Sequence, residues 1–197
     1  AESAQRIEDF KGDLTTLASE GGLYFVTLTA PTCKERQLKS TIERRSKIFA
    51  KVKDKIRHKY GIKLNGLRKL ECTYNEIEDR YHPHFHFLVQ GYREAVLMRD
   101  LWLEAHSTFS KEYRALIGGQ DIREISVTKE DTKNLIEVFK YATKGVVKST
   151  IEAHAEYHIQ RAIEGKRIFQ TFGSLKKTKL TENEETENVT IDWQPPK

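Results

Sequence analysis

Residues 82–89, His82-Pro83-His84-Phe85-His86-Phe87-Leu88-Val89, decide the reading of this chain together with Leu67-Arg68-Lys69-Leu70-Glu71-Cys72-Thr73-Tyr74 upstream. Both stretches are rich in strand-forming residues, and the polar connection from Asn75 to Tyr81 predicts a hairpin. On a strand alternate side chains share a face, so His84 and His86 point one way while Phe85, Phe87 and Val89 point into the opposite layer. Two imidazoles on one face can grip a divalent metal but need a third ligand. If the hairpin turns near the middle of the connection, Glu71 lies opposite His84 or one step from His86, on the same face. Two His and one carboxylate leave coordination positions open, as a catalytic site requires. Glu76, Glu78 and Asp79 fall in the turn and are worse placed. His82 shares the face but sits near the turn beside Pro83, and is assigned a supporting place. The same residues also fit an exposed histidine pair on an edge strand, or a closed structural zinc site.

Working outward, Tyr24 to Thr29 is a strand that stops before Pro31. The segment from about 34 to 59 is helical and closes at Gly61. Further helices are predicted over 5–19, 94–109, 131–144 (stopped by Gly145) and 150–164. Short strands are predicted over 122–127 and 167–172. Strands that mostly neighbour in sequence, with helices interspersed, predict an α+β fold on an antiparallel sheet. No internal repeat or low-complexity linker divides the 197 residues, so one domain over 1–179 is expected. Residues 180–197 are expected to form an acidic, mobile tail. The only methionine is Met98, so a trimmed or processed start, and hence a piece of a longer chain, is expected.

Nine Phe, eight Tyr and two Trp supply a core and argue against wholesale disorder. No run approaches the ~18 apolar residues of a membrane span, so a soluble, cytoplasmic protein without a membrane partner is expected. Two cysteines are too few for a disulfide framework or a cysteine metal site. The net charge of +5 conceals a partition. Residues 34–69 hold 14 Lys and Arg against three acids, a local +11, whereas residues 181–197 carry −4. A block this basic is what a polyanion binder presents, and nucleic acid is the commonest partner. A solvated helix face is the plainer alternative. Arg44, Arg45, Lys47 and Lys51 from the block, with Lys148, are the candidate DNA contacts.

The predicted helix over 131–144 supplies a nucleophile. At helical spacing Glu137, Tyr141 and Lys144 fall within about 60° of one another, with Leu135, Phe139 and Ala142 on the other side. Tyr141 is therefore off the apolar stripe. A phenol with a pKa near ~10 needs help to attack phosphate at neutral pH. Lys144, one turn on, can lower that pKa or neutralise phosphate charge. A second Tyr-x-x-Lys, Tyr60 to Lys63, is broken by Gly61 and has no carboxylate four residues upstream.

Together these residues resemble the HUH endonucleases, and most closely the rolling-circle replication initiators of small Gram-positive plasmids. The resemblance rests on three motifs in family order: Phe25-Val26-Thr27-Leu28-Thr29, His82-Pro83-His84-Phe85-His86, and Glu137 with Tyr141 and Lys144. Leu70 to Asn75 is similar to the strand that carries the third metal ligand. The resemblance spans about residues 23–176. It implies a five-stranded antiparallel sheet flanked by helices. It also implies that Tyr141 attacks single-stranded DNA at a plasmid origin, leaving a 5′-phosphotyrosyl link and a 3′-OH. Glu71, His84 and His86 would hold Mg²⁺ or Mn²⁺, although two imidazoles would also accept Zn, Ni or Co. Glu137, where two-tyrosine relatives carry a second Tyr, would activate water at termination. Single-stranded or cruciform origin DNA, a host helicase with the replication machinery, and a homodimer are the expected partners. Two alternatives keep some of these features: a conjugative relaxase or single-strand transposase with the same chemistry, and a non-catalytic DNA-binding module with a structural metal.

Overall fold

The computed structural model describes residues 11–111, 113–125 and 150–175. In chain order these form α1 (Lys11–Gly21), β1 (Leu23–Leu28), a 3₁₀ turn (Glu35–Gln37), α2 (Leu38–Tyr60), β2 (Gly66–Asn75), β3 (Arg80–Gln90), α3 (Tyr92–His106), a second 3₁₀ turn (Ile117–Gly119), β4 (Asp121–Ile125), α4 (Thr150–Ile163) and β5 (Phe169–Phe172). The strands make one sheet in the order β4-β1-β3-β2-β5, and every pairing is antiparallel. This is the α+β architecture with about five antiparallel strands expected from the sequence.

The hairpin positions the site. Glu71 pairs with His84 and Lys69 with His86, one of the two registers the spacing allowed. β3 begins at Arg80, inside the connection expected from Asn75 to Tyr81, so the turn contracts to residues 76–79. Asp79 adopts a positive φ of 48° there, accepting a hydrogen bond from Tyr74 Oη at 2.9 Å, while Asn75 Oδ1 accepts one from the Glu78 N–H. A short polar side chain tolerates that left-handed conformation. Pro83 survives inside β3 for a related reason. Tyr81 exchanges both backbone bonds with Cys33, so Pro83, two residues on, faces the same side. β1 has ended by then, its last partner being Phe85, and the missing N–H costs no ladder bond. The Pro83 carbonyl accepts instead from the Arg45 guanidinium.

Among the described residues the two sheet faces are covered unequally. α2, α3 and α4 bury the main core against Val26, Leu28, Leu70, Phe85, Phe87 and Val89. Trp102 is fully buried there and donates its indole N–H to the Thr29 carbonyl at 2.9 Å. On the other face, Leu14 and Leu17 of α1 cover a smaller cluster of Leu23, Phe25, Leu67 and Leu88. The metal-ligand candidates lie beyond that cluster on the same face. α2 ends at Gly61, which takes the left-handed cap with φ 66° that a residue without Cβ adopts at least cost.

Candidate metal centre

Strand alternation and the hairpin register bring Glu71, His84 and His86 together, each offering one ligand atom with all three atoms within 4.8 Å of one another. The two Nε2 atoms stand 3.1 Å apart. Glu71 Oε2 lies 3.2 Å from His86 Nε2 and 4.0 Å from His84 Nε2.

Each imidazole is held by its other nitrogen. His84 Nδ1 donates to the His82 carbonyl at 2.8 Å, which fixes the tautomer with a lone pair on Nε2. His86 Nδ1 lies 3.1 Å from Thr27 Oγ1, and its ring stacks on Phe25 at 5.1 Å. Anchoring of this kind sets ring orientation and ligand basicity. His82 acts on the site through its carbonyl and through its ring, stacked 5.0 Å from that of His84. Its imidazole is not one of the three converging groups.

The electrostatics fit a cation. Burial pulls the His84 imidazole down to about 4, so it is neutral and available as a ligand well below neutral pH. Burial also lowers the pKa of His82. Glu71 Oε2 is buried without a hydrogen-bond partner, a state that normally costs about 1–3 kcal/mol or more for a charged group. A divalent ion between the carboxylate and the two nitrogens removes that cost, so the donor set fits a metal. Two imidazoles and one carboxylate leave open coordination positions and suit borderline as well as harder divalent ions.

Sequence reasoning missed two residues here. Thr27 lies directly across from His86 and alternates with Phe25, so the period of β1 could have found it. Lys69 is 1% exposed, pairs with His86 on one side and Phe169 on the other, and places Nζ 5.8 Å from the Phe169 ring centroid. Burial pulls its ammonium down to about 8, while Glu71 pulls it up.

The basic block divides. Arg44, Lys47 and Lys51 are exposed on α2, with the Arg44 guanidinium over the rings of Phe109 and Tyr113 at 5.8 and 5.5 Å. Arg45 is a correction to the set of DNA contacts. It is 3% exposed and donates to the Pro83 and Pro31 carbonyls, so it braces the histidine strand from within. It occupies a core position of α2 between Ile42 and Phe49, both buried. Arg68 is buried likewise, over the Phe85 ring at 4.8 Å. Because α2 packs on the Phe85 face, its exposed basic side lies across the sheet from the metal ligands. Glu137, Tyr141, Lys144 and Lys148 lie outside the described residues.

The family profile described as Rep_1, replication protein, matches residues 8–194. The chain belongs to this replication-protein family. It is similar to "Protein rep" from Staphylococcus aureus, 32% identical over 130 residues that cover 61% of this chain and 53% of that one. It also resembles "Protein rep" from a Bacillus species, 31% identical over 124 residues covering 59% and 38% of the two chains. A third "Protein rep", from Bacillus amyloliquefaciens, is 26% identical over 181 residues, covering 79% and 52%. The chain thus spans about half or less of the length of these curated relatives. No solved structure matches significantly. Among the described residues no helix is long and apolar enough to cross a membrane.

Proposed function

We propose that this chain is the nicking domain of a plasmid rolling-circle replication initiator: a divalent-metal-dependent endonuclease and strand transferase that cuts single-stranded origin DNA through a tyrosine. The observation that carries the reading is the convergence of Glu71, His84 and His86 on the sheet face opposite α2, in a chain of the replication-protein family. Exposed lysines and arginines on α2 support a nucleic-acid substrate.

In this mechanism Tyr141 is the nucleophile. Its phenolate oxygen bonds to the scissile phosphorus as the bond to the 3′ oxygen breaks, giving a 5′-phosphotyrosyl link and a free 3′-OH. The phosphodiester bond energy is retained, so the 3′-OH of the same or another strand can reverse the step. Lys144 lowers the Tyr141 pKa and offsets the phosphate charge. Glu137 takes a proton from water at termination, so the last link is hydrolysed and the enzyme released. A bound Mn²⁺ or Mg²⁺ would supply Lewis-acid polarisation of the scissile phosphate. The His82 carbonyl and Thr27 keep the two Nε2 lone pairs aimed at the ion, and Arg45 holds the backbone between His82 and His84. Arg44, Lys47 and Lys51 lie across the sheet from the ligands and would hold flanking origin DNA by phosphate contacts.

A labelled single-stranded origin oligonucleotide incubated with Mn²⁺ tests the reading. Cleavage is expected with the wild-type chain and lost with EDTA or in His84→Ala. Metal-independent cleavage, or none at any origin sequence of the parent plasmid, would overturn it.

A further inference from the structure

A second pair of imidazoles stands apart from the metal centre. His154 and His158 are one turn apart on α4, a spacing that puts both on one face of the helix. Their Nε2 atoms are 3.1 Å apart, with ring centroids 4.4 Å apart. Two nitrogens bound to one ion at ~2.0–2.1 Å stand about 2.9 Å apart at a right angle and about 3.3 Å apart at the tetrahedral angle. The observed separation falls between these limits. His158 Nδ1 also lies 3.1 Å from Glu35 Oε1 of the 3₁₀ turn ahead of α2. A carboxylate on Nδ1 fixes the proton there, leaves the Nε2 lone pair facing His154, and raises its basicity. This is the outer support that metal-binding histidines carry.

We propose that His154 and His158 form a second metal site, selective for nitrogen-loving ions such as Zn²⁺, Ni²⁺ or Cu²⁺, with Glu35 as the positioning carboxylate. The donor set explains the selectivity: among the described residues no carboxylate joins the two nitrogens, so Mg²⁺ is disfavoured, whereas imidazole suits the later transition metals. His154 is exposed and His158 partly so, so an ion can reach both nitrogens from solvent. Loading strengthens the Nδ1–H···Glu35 bond, because an imidazole that gives electron density to a metal is a better donor. The ion therefore fastens α4 to the turn leading into α2, an attachment already made nearby by Lys166 and Glu43 at 2.8 Å.

Zn²⁺ titration of the full chain by calorimetry, with Cu²⁺ electron paramagnetic resonance alongside, tests this. His154→Ala should remove one equivalent of Zn²⁺ from the wild-type total and leave the equivalent held by Glu71, His84 and His86. A His84→Ala/His86→Ala chain should keep the α4 equivalent and a Cu²⁺ spectrum with two-imidazole nitrogen splitting. Glu35→Ala should preserve stoichiometry but weaken the α4 site by about tenfold, the lower end for loss of an outer partner. Unchanged stoichiometry in His154→Ala would overturn the proposal, as would the same affinity in Glu35→Ala as in the wild type.

Discussion

Two adjacent arginines, Arg44 and Arg45, should fail in opposite ways. Arg45 is buried and donates to the Pro31 and Pro83 carbonyls, whereas Arg44 is exposed. Substituting Arg45→Met keeps the aliphatic stem but removes two charge-assisted hydrogen bonds, worth about 1.5–3 kcal/mol each. Against that stands relief from holding a charge inside the protein. Burial pulls the Arg45 guanidinium from 12.5 down to about 10, which corresponds to about 3 kcal/mol at 1.36 per pKa unit. The difference is a net loss of about 1 kcal/mol. With a denaturant slope of ~2 kcal/mol/M, the urea midpoint falls by about 0.5 M. Arg44→Ala should cost under about 1 kcal/mol, the exposed cation–π term. In DNA binding the order reverses. Arg44→Ala should reduce the slope of log affinity against log salt by about 0.7–0.9, one phosphate's worth, while the folded Arg45→Met chain keeps the wild-type slope. Urea unfolding followed by circular dichroism and binding titrations between 50 and 200 mM salt, a range suited to this effect, provide both readouts. An unchanged midpoint with a reduced salt slope in Arg45→Met would refute the interior assignment.

Three further outcomes follow from the site. Glu71→Ala and His84→Ala should each weaken Mn²⁺ binding in calorimetry by more than the ~10–100-fold typical of outer partners, with Thr27→Val inside that range; a Glu71→Ala chain of wild-type affinity would remove Glu71 from the ligand set. In EDTA, His84 makes stability depend on acid. Its folded pKa of about 4 lies below the ordinary 6.5, so the unfolded chain binds more protons between those values. The associated stability, about 3 kcal/mol, is present above pH 6.5 and lost as pH falls towards 4; identical acid sensitivity in His84→Asn would contradict this. Glu137→Ala should nick origin DNA at near wild-type rate yet accumulate the covalent adduct, seen as a slower-migrating band in denaturing gels. Equal loss of nicking and release would make Glu137 a general catalytic or structural residue.

The parts legible in the sequence were those where one period governs both strands. β2 and β3 alternate every second residue, and the polar connection leaves only two registers, so Glu71 opposite His84 could be anticipated. The earlier start of β3 was hidden because Pro83 reads as a strand breaker until β1 is known to have ended. Charge concealed the rest. Arg45 sits on the helical stripe of Leu38, Ile42, Phe49, Val52 and Ile56, but in a segment of local charge +11 its basic character outweighed its position. Arg68 and Lys69 were likewise counted with the surface, though both lie in a strand covered on each face. Which face carries α2 depends on chain crossings that no local pattern records. Hence the basic helix precedes the metal-ligand hairpin directly in sequence yet lies across the sheet from it.

Under the proposed function Tyr141 becomes linked to DNA in a reaction that needs the Glu71, His84 and His86 centre. The most direct measurement is mass spectrometry of tryptic peptides after reaction with a single-stranded origin oligonucleotide and Mn²⁺. A nucleotide adduct is expected on the peptide containing Tyr141, absent in Tyr141→Phe and absent without metal. An adduct on another residue, or one that persists in Tyr141→Phe, would contradict it.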